Sequence, residues 1–288
     1  MSIGLVLEGG GMRGWYTAGV LTALTENEID FPCVYGISAG ASNALNYISK
    51  QNTRDFGRAM IRYSADERYI SVSNLQKTGS LFGFDFIFGE LFHSLLPFDY
   101  EAFFDSPIQF KVGATDLTTG RAVFFDKSQL DEEMTAVRAS CSLPFLSNII
   151  TYRGHELLDG GCSMPIPIER SIFDGNASNV IVLTRDISYR KGPHPEFPRS
   201  VLHVKYGDYP LFVDAMMTRS ETYNNELDVC QRQEKAGNAF IIRPSSPIMI
   251  SRYEKNPEKL IRIYEMGIHD CENSLSHLKE FLSSQNEN

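Results

Sequence analysis

Residues 3–14 read IGLVLEGGGMRG, and residues 31–40 read FPCVYGISAG. Each segment begins with a short apolar run, Ile3–Leu7 in the first and Phe31–Tyr35 in the second. Continuous runs of this kind are typical of strands that a parallel sheet buries on both faces. A glycine loop follows the first run and a serine between glycines follows the second, and each leads into a helical pattern. This order predicts an α/β fold with three layers, in which a mostly parallel central sheet lies between helices.

Further elements are expected along the rest of the chain. The additional strands are expected at Ile108–Ala114, Ala122–Phe125, Ile149–Tyr152 with Glu156–Leu158, Val180–Thr184 and Ala239–Arg243. The helices are expected at Trp15–Asn27, Ala39–Ser49, Asp131–Ala139, Tyr209–Ala236 and Pro257–Leu282. The prolines of Lys191–Arg199 indicate an exposed loop. Because the sequence contains no repeat and no linker, we predict one domain over 1–288, with 186–288 as a helical extension packed on the rest.

The composition excludes several classes of protein. The 288 residues can bury a sizeable core, and fractions of 42% hydrophobic and 22% charged residues are ordinary for a globular protein. The formal net charge of −9 argues against nucleic acid as a partner and against simple docking on anionic lipid, since both select basic surfaces. No apolar stretch approaches the roughly 18 residues of a spanning helix, and the first residues carry no secretory signal. We therefore expect a cytoplasmic protein.

The five cysteines are scattered singly, without a CxxC pair or the spacing of a metal site. They are Cys33, Cys141, Cys162, Cys230 and Cys271. Their odd number and wide separation favour free thiols over a disulfide framework. Because the cysteines lack the spacing of metal ligands, we also expect no metal site.

Gly36-Ile37-Ser38-Ala39-Gly40 matches the GxSxG pattern of a nucleophile elbow. In such an elbow, a sharp turn between a strand and a helix holds the serine hydroxyl out of the sheet. The N-terminus of the following helix favours a developing alkoxide there. The pattern by itself is equally consistent with a tight turn whose serine caps a helix.

Gly9-Gly10-Gly11-Met12-Arg13-Gly14 puts unobstructed backbone N–H groups at the start of a helix, where they can stabilise an oxyanion. The same string satisfies the GxGxxG fingerprint of dinucleotide-binding folds. That alternative requires an acidic residue at the end of the second strand to hold a ribose, whereas Asp30 precedes this strand. Arg13 could orient the N–H groups or meet a substrate phosphate, because a guanidinium fork matches phosphate oxygens. The alternative is a surface arginine that caps a nearby carbonyl.

Asp159-Gly160-Gly161 stands at the end of a predicted strand, where glycines let another backbone approach closely. Within hydrogen-bond reach of Ser38, Asp159 could take the serine proton directly. A plain Asp-Gly turn is the alternative. The six histidines lie in no catalytic string. Only one strand and one helix precede the strand that leads to Ser38, too few for the topology of an α/β-hydrolase.

Together, the three strings resemble the patatin-like phospholipase family. In that family a glycine-rich oxyanion loop, a GxSxG elbow and an Asp-Gly-Gly or Asp-Gly-Ala string follow one another in this order. Further stretches are similar to the family: Val112–Phe125, Ala139–Phe145 and the prolines Pro165 and Pro167. The likeness covers roughly residues 3–185 and is loose in the C-terminal third.

The resemblance implies a patatin-like fold and a serine acyl hydrolase of lipid esters, a phospholipase A or lysophospholipase that needs no catalytic histidine, metal or cofactor. Ser38 would be the nucleophile and Asp159 the general base. N–H groups of Gly9–Gly14, supported by Arg13, would receive the oxyanion. The expected partner is a lipid ester, and peripheral contact with a membrane follows only from that substrate. The alternatives are a nucleotide-binding protein that uses Gly9–Gly14 for phosphates and a catalytically idle lipid-binding relative.

The segment Leu81–Phe104 is rich in phenylalanine. Asp85, Glu90 and His93 interrupt it, so it is not a membrane span. It is either a lid or acyl-binding flap beside the active site or a set of core rings, and the two interpretations can hold for different residues. The head group, ester position, acyl length and oligomeric state are left open by the sequence.

Overall fold

Eight strands and ten α-helices occur within residues 3–286, the part of the chain that the computed structural model describes. The strands are β1 (Ile3–Leu7), β2 (Cys33–Ile37), β3 (Gln109–Asp116), β4 (Ala122–Asp126), β5 (Ile150–Tyr152), β6 (His155–Asp159), β7 (Ser178–Val182) and β8 (Ala239–Ile242). The helices are α1 (Gly14–Glu26), α2 (Ala39–Ile48), α3 (Arg54–Arg62), α4 (Val72–Thr78), α5 (Tyr100–Asp105), α6 (Thr135–Ser140), α7 (Ile168–Phe173), α8 (Arg199–Tyr206), α9 (Pro210–Lys235) and α10 (Pro257–Asn286). In addition, Phe86–Leu95 is wound as a π-helix.

The strands form a single mixed sheet in the order β5-β6-β3-β2-β1-β7-β8, with β4 also paired to β3. The pairs β1–β2, β1–β7, β2–β3 and β7–β8 are parallel. The antiparallel pairs are β3–β4, β3–β6 and β5–β6, all toward one end of the sheet. The predicted α/β fold with a mostly parallel sheet is confirmed.

Helices cover both faces of the sheet, as the alternation of side chains along β1 shows. Leu5 and Leu7 pack into the larger core together with residues of α1, α2 and α10. Val6 points to the other face, where it packs with residues of α7 and α9. Burial on both faces explains why β1 is a continuous apolar run rather than an alternating one.

The sequence located the first strand residue by residue, and several other elements differ from expectation. The second strand was expected at Phe31–Tyr35 and runs from Cys33 to Ile37. It begins after Pro32 because proline has no N–H to donate to a neighbouring strand. The helix expected at Asp131–Ala139 begins only at Thr135. The short helices α3, α4, α5, α7 and α8 were not predicted, although three of them carry a sequence signal. The side chains of Thr53, Ser71 and Asp99 each cap one of these helices by accepting a backbone N–H.

The longest helices are α9 and α10. Helix α9 packs on β8, and α10 packs on β8 and along α1. None of the helices within residues 3–286 combines the length and the hydropathy that a membrane crossing requires.

Candidate active site

Ser38 stands at the sharp turn that joins β2 to α2. Its backbone has φ 53° and ψ −122°, a conformation that costs a non-glycine residue about 1–3 kcal/mol. Its N–H donates to Ser140 Oγ at 2.8 Å, and Ser140 Oγ donates in turn to the carbonyl of Gly113 at 2.6 Å. The turn is therefore held in its strained form by a side chain of α6 and the backbone of β3.

Asp159 meets Ser38 at the end of β6. Ser38 Oγ donates a hydrogen bond of 2.7 Å to Asp159 Oδ2. The pairing of the sheet produces this contact, since Ile37 pairs with Gly113 and Asp159 pairs with the next residue of β3, Ala114. Ser38 and Asp159 are only 7% and 4% exposed. The structure thus brings together two of the residues singled out in the sequence.

The carboxylate of Asp159 is fixed at both oxygens. Its Oδ1 accepts the N–H of Gly161 at 2.7 Å, while Oδ2 accepts the Ser38 hydroxyl. Burial raises the pKa of Asp159 above its usual range, although the hydrogen bonds from Ser38 and Gly161 and the charges of Arg219 and Arg252 oppose the rise. A carboxylate with a raised pKa is a stronger base than an ordinary aspartate.

Histidines take no part in this contact. All six lie in the described part of the chain, where none of them is joined by a hydrogen bond to Ser38 or Asp159. His155 instead bonds through Nδ1 to Asp116 Oδ2 at 2.6 Å. Across residues 3–286, no group of three or more histidine, cysteine, aspartate or glutamate side chains is arranged to hold a metal ion. The carboxylate is therefore the basic group in contact with the serine hydroxyl.

The Gly9–Gly14 loop follows β1 and lies against the elbow. Four of its six N–H groups already have acceptors: Gly9 donates to Pro165, Met12 to Arg252, Arg13 to Gly10, and Gly14 to Gly11 and Met12. In the described part of the chain, no acceptor takes the N–H of Gly10 or Gly11. Both of these glycines line a cavity that reaches Ser38 and Asp159.

An apolar cleft opens on one side of Ser38. It has about 920 Å³ of space between its atoms, including its open mouth. One wall is α2, from Ser38 to Asn46, so the cleft follows this helix for about 12 Å at 1.5 Å per residue. Much of the remaining lining is aromatic or aliphatic: Trp15, Phe56, Met60, Tyr69, Phe82, Phe84, Ile87, Phe88, Phe92 and Leu143. A cleft of this length and polarity can hold an acyl chain.

The aromatic segment contributes both to the core and to the wall of the cleft. Phe84, Phe88 and Phe92 belong to the core and also line the cleft. Phe98 and Phe103 pack in the core without reaching the cleft. The segment therefore forms part of the cleft wall and anchors that wall to the core.

A second, polar cavity also reaches Ser38. It is lined by the glycine loop, Asp159, Glu8 and a group of cationic side chains: Arg13, Arg185, Lys191, Arg219 and Arg252. Sequence reasoning found only the first of these cations. The other four lie in the C-terminal part of the chain, and no local motif links them, because loops and α9 bring them together only in the folded protein.

The chain is similar to several known proteins. The family model described as Patatin-like phospholipase matches residues 5–172, and residues 209–283 match a family described as a domain of unknown function, DUF6363. The uncharacterized protein YjjU of Escherichia coli K12 is 29% identical over 188 residues, which cover 63% of this chain and 52% of YjjU. Lysophospholipase NTE1 of Meyerozyma guilliermondii is 30% identical over 171 residues, which cover 58% of this chain and 11% of NTE1.

This chain thus spans about half the length of YjjU and about a tenth of NTE1. Among solved structures, VipD from Legionella pneumophila superposes with a TM-score of 0.45 and 12% identity, covering 96% of this chain and 67% of VipD.

Proposed function

We propose that this chain, which belongs to the patatin-like phospholipase family, hydrolyses acyl esters of lipids with Ser38 as nucleophile and Asp159 as general base. One observation carries the proposal: the 2.7 Å hydrogen bond from Ser38 Oγ to Asp159 Oδ2 at the junction of an apolar cleft and a polar cavity. A nucleophile and a base in direct contact are the minimum that acyl transfer requires.

The reaction has two balanced steps. Ser38 Oγ attacks the acyl carbonyl carbon while its proton passes to Asp159 Oδ2, and the resulting tetrahedral intermediate breaks the bond to the leaving alcohol. Asp159 returns the proton to that alcohol. Water then attacks the acyl-serine, Asp159 accepts one proton of the water and gives it back to Ser38 Oγ, and the fatty acid leaves.

The oxyanion of each tetrahedral intermediate needs hydrogen-bond donors. The N–H groups of Gly10 and Gly11 are our proposed donors, because the other N–H groups of the loop have acceptors within the protein. Arg13 supports them from the same loop with its positive charge. One such donor is worth about 3–4 kcal/mol of transition-state stabilisation in well-studied hydrolases. This contribution is large enough to offset the modest strength of a carboxylate base.

The proposed substrates are lipids with an acyl ester, as in a lysophospholipase or phospholipase A. The apolar cleft supports a long acyl chain, and a relative that is 30% identical over 171 residues carries the name lysophospholipase. Such substrates lie in membranes or micelles, so we also propose peripheral contact with a lipid surface.

We further propose that the chain is a single domain over 1–288. Strand β8 extends the sheet by pairing with β7, and α10 packs closely along α1. The close packing depends on glycine, because a Cβ on Gly19 would lie 2.0 Å from the carbonyl oxygen of Tyr264. The C-terminal third therefore completes the core that the catalytic strands begin.

Labelling with a fluorophosphonate probe tests the proposed function. The probe should label wild-type protein at Ser38, and Ser38→Ala should lose both labelling and hydrolysis of a lysophospholipid. Ser42→Ala is the matched control, because Ser42 lines the same cleft one turn further along α2 and should still be labelled. Full hydrolysis by Ser38→Ala would show that the nucleophile is assigned wrongly.

A further inference from the structure

The polar cavity beside Ser38 concentrates positive charge in a protein whose formal net charge is −9. Two of its cations share one carboxylate as their ion-pair partner. Glu196 pairs with Arg219 at 2.9 Å and with Arg252 at 2.6 Å. Arg13, Arg185 and Lys191 are different, because no acceptor within residues 3–286 takes a hydrogen bond from any of these three side chains. The cavity therefore presents three basic side chains that have no hydrogen-bonded acidic partner among residues 3–286.

Arg13 is the most buried of the three. The residue is only 7% exposed, and its enclosed Nε has no hydrogen-bond partner among the residues that the structure describes. Glu8 lies nearby, but its carboxylate accepts the N–H of Thr184 at 2.5 Å and the hydroxyl of Tyr223 at 2.9 Å. Buried guanidinium groups are normally fully hydrogen-bonded, since leaving them unpaired is costly. An unpartnered guanidinium in a cavity wall indicates an anionic ligand.

Aromatic rings hold the other two cations in place. The Arg185 guanidinium stacks over Tyr189 at 4.2 Å from the ring centre, and Lys191 Nζ lies 4.9 Å from the centre of Tyr223. Cation–π contacts of this kind orient a cation and leave its N–H groups free to bind an anion. Burial and the neighbouring charges of Arg219 and Arg252 lower the pKa of Lys191 to about 7. A bound dianion would raise the pKa of Lys191 and so oppose the effect of Arg219 and Arg252.

We propose that this cavity binds the phosphate of the lipid substrate and selects acyl esters of glycerol phosphate whose phosphate carries no further substituent. The inference rests on the proposed function, because it places the ester carbonyl at Ser38. Ser38 lines both cavities, so the acyl chain can occupy the apolar cleft while the phosphate, three carbons or fewer from the ester, occupies the polar one.

The charge of the ligand follows from the charge of the cavity. A phosphomonoester carries about −1.5 to −2 charges at neutral pH, and Arg13, Arg185 and Lys191 can match such a dianion with charge-assisted hydrogen bonds. A phosphocholine group has one negative charge and a quaternary ammonium, which these cations would repel. A neutral glycerol ester would leave all three without a partner.

Three substrates with the same acyl chain test the inference: oleoyl-glycerol phosphate, oleoyl-glycerophosphocholine and monooleoylglycerol, each below its micelle concentration. Wild-type protein should have at least about a tenfold higher kcat/KM for the first than for either of the others. Arg185→Gln and Lys191→Gln should each lower the ratio of phosphate to neutral ester by about tenfold. Arg190→Gln is the matched control, since Arg190 is exposed and pairs with Asp228, and should leave the ratio unchanged.

The outcomes separate this inference from the proposed function. If all three esters are cleaved at equal kcat/KM and Ser38→Ala cleaves none, the proposed hydrolase activity is supported and the proposed phosphate site is wrong. If wild-type protein cleaves none of them, the proposed function fails. Calorimetric titration with oleoyl-glycerol phosphate then tests whether the cavity binds the phosphate. Binding that Arg185→Gln weakens supports the site, and absence of binding overturns it. If inorganic phosphate binds as tightly as the phosphate lipid, the cavity takes a free anion and the head-group assignment is wrong.

Discussion

Ser38 Oγ and Asp159 Oδ2 lie 2.7 Å apart because a single strand, β3, aligns the ends of the two strands that carry them. The residues are 121 positions apart in the sequence, yet both sit on rigid elements rather than on long loops. Groups held in this way lose little freedom when the transition state forms.

Asp159→Asn should lower ester hydrolysis by about a thousandfold, because an amide cannot accept the proton of Ser38. The double variant Ser38→Ala with Asp159→Asn should be no slower than Ser38→Ala alone, since the two residues act as one unit. Steady-state kinetics on a soluble ester measures both. Asp116→Asn is the control: this buried strand-end aspartate bonds to His155, and its loss should leave turnover within a few-fold.

The pH dependence should reflect the raised pKa of Asp159, whose first cause is burial. As a base it must be ionised, so kcat/KM should fall as pH decreases through a pKa above the value of about 3.9 for a free aspartate. Stability has the opposite trend, because the contribution of this group is greatest at acid pH and is lost as pH rises through its folded-state pKa. Asp159→Asn should therefore melt at a higher temperature than wild type at neutral pH, with a smaller difference in acid. An acid limb at or below the free value would contradict the assignment.

Ser140→Ala should lower kcat more than it raises KM. The Ser140 hydroxyl accepts the N–H of Ser38 and donates to Gly113, so its removal leaves the strained turn unsupported. The unpaired buried groups should also lower the free energy of unfolding by about 1–3 kcal/mol. Ser142→Ala is the comparison, because its equally buried hydroxyl bonds back to Arg138. Equal kinetic effects of the two variants would show that Ser140 does not position Ser38.

Gly160→Ala should displace Asp159 and slow hydrolysis by tenfold or more. A Cβ at this position would lie 2.3 Å from the backbone oxygen of Gly113, so the end of β6 would have to move away from β3. A shift of about 1 Å at reacting groups can cost about a hundredfold in rate. Gly192→Ala is the control, since no atom lies within 4 Å of its added Cβ. Kinetics and melting temperature measured together separate displacement from unfolding.

Asn46→Trp should shorten the preferred acyl chain. Asn46 lines the apolar cleft about 12 Å along α2 from Ser38. Its buried Oδ1 has no hydrogen-bond partner among the described residues. A large side chain there should leave hydrolysis of butanoyl and hexanoyl esters close to wild type and lower that of palmitoyl esters by about tenfold or more. A series of p-nitrophenyl esters measures the profile. An unchanged profile would place the acyl chain elsewhere.

The candidate site could be predicted in part because its signals are local. A glycine loop after an apolar run, a serine between glycines and an Asp-Gly-Gly string each specify a tight turn at a strand end, and the backbone there needs few distant contacts. The short helices were harder to predict, since α7 and α8 have no side-chain cap at their N-termini. Packing against the rest of the chain decides whether such short segments are helical.

The sequence by itself determined the α/β fold, the turn at Ser38 and the strand end at Asp159, because each follows from nearest-neighbour preferences of the chain. Only the tertiary structure decided that β3 brings these two residues into contact and that Arg13 shares a cavity with Arg185 and Lys191. It also decided that the N–H groups of Gly10 and Gly11 have no acceptor within residues 3–286. The order of the strands, the pairing of backbone N–H groups and the clustering of charged side chains depend on contacts between segments that are distant in the sequence. A local sequence pattern does not specify those contacts.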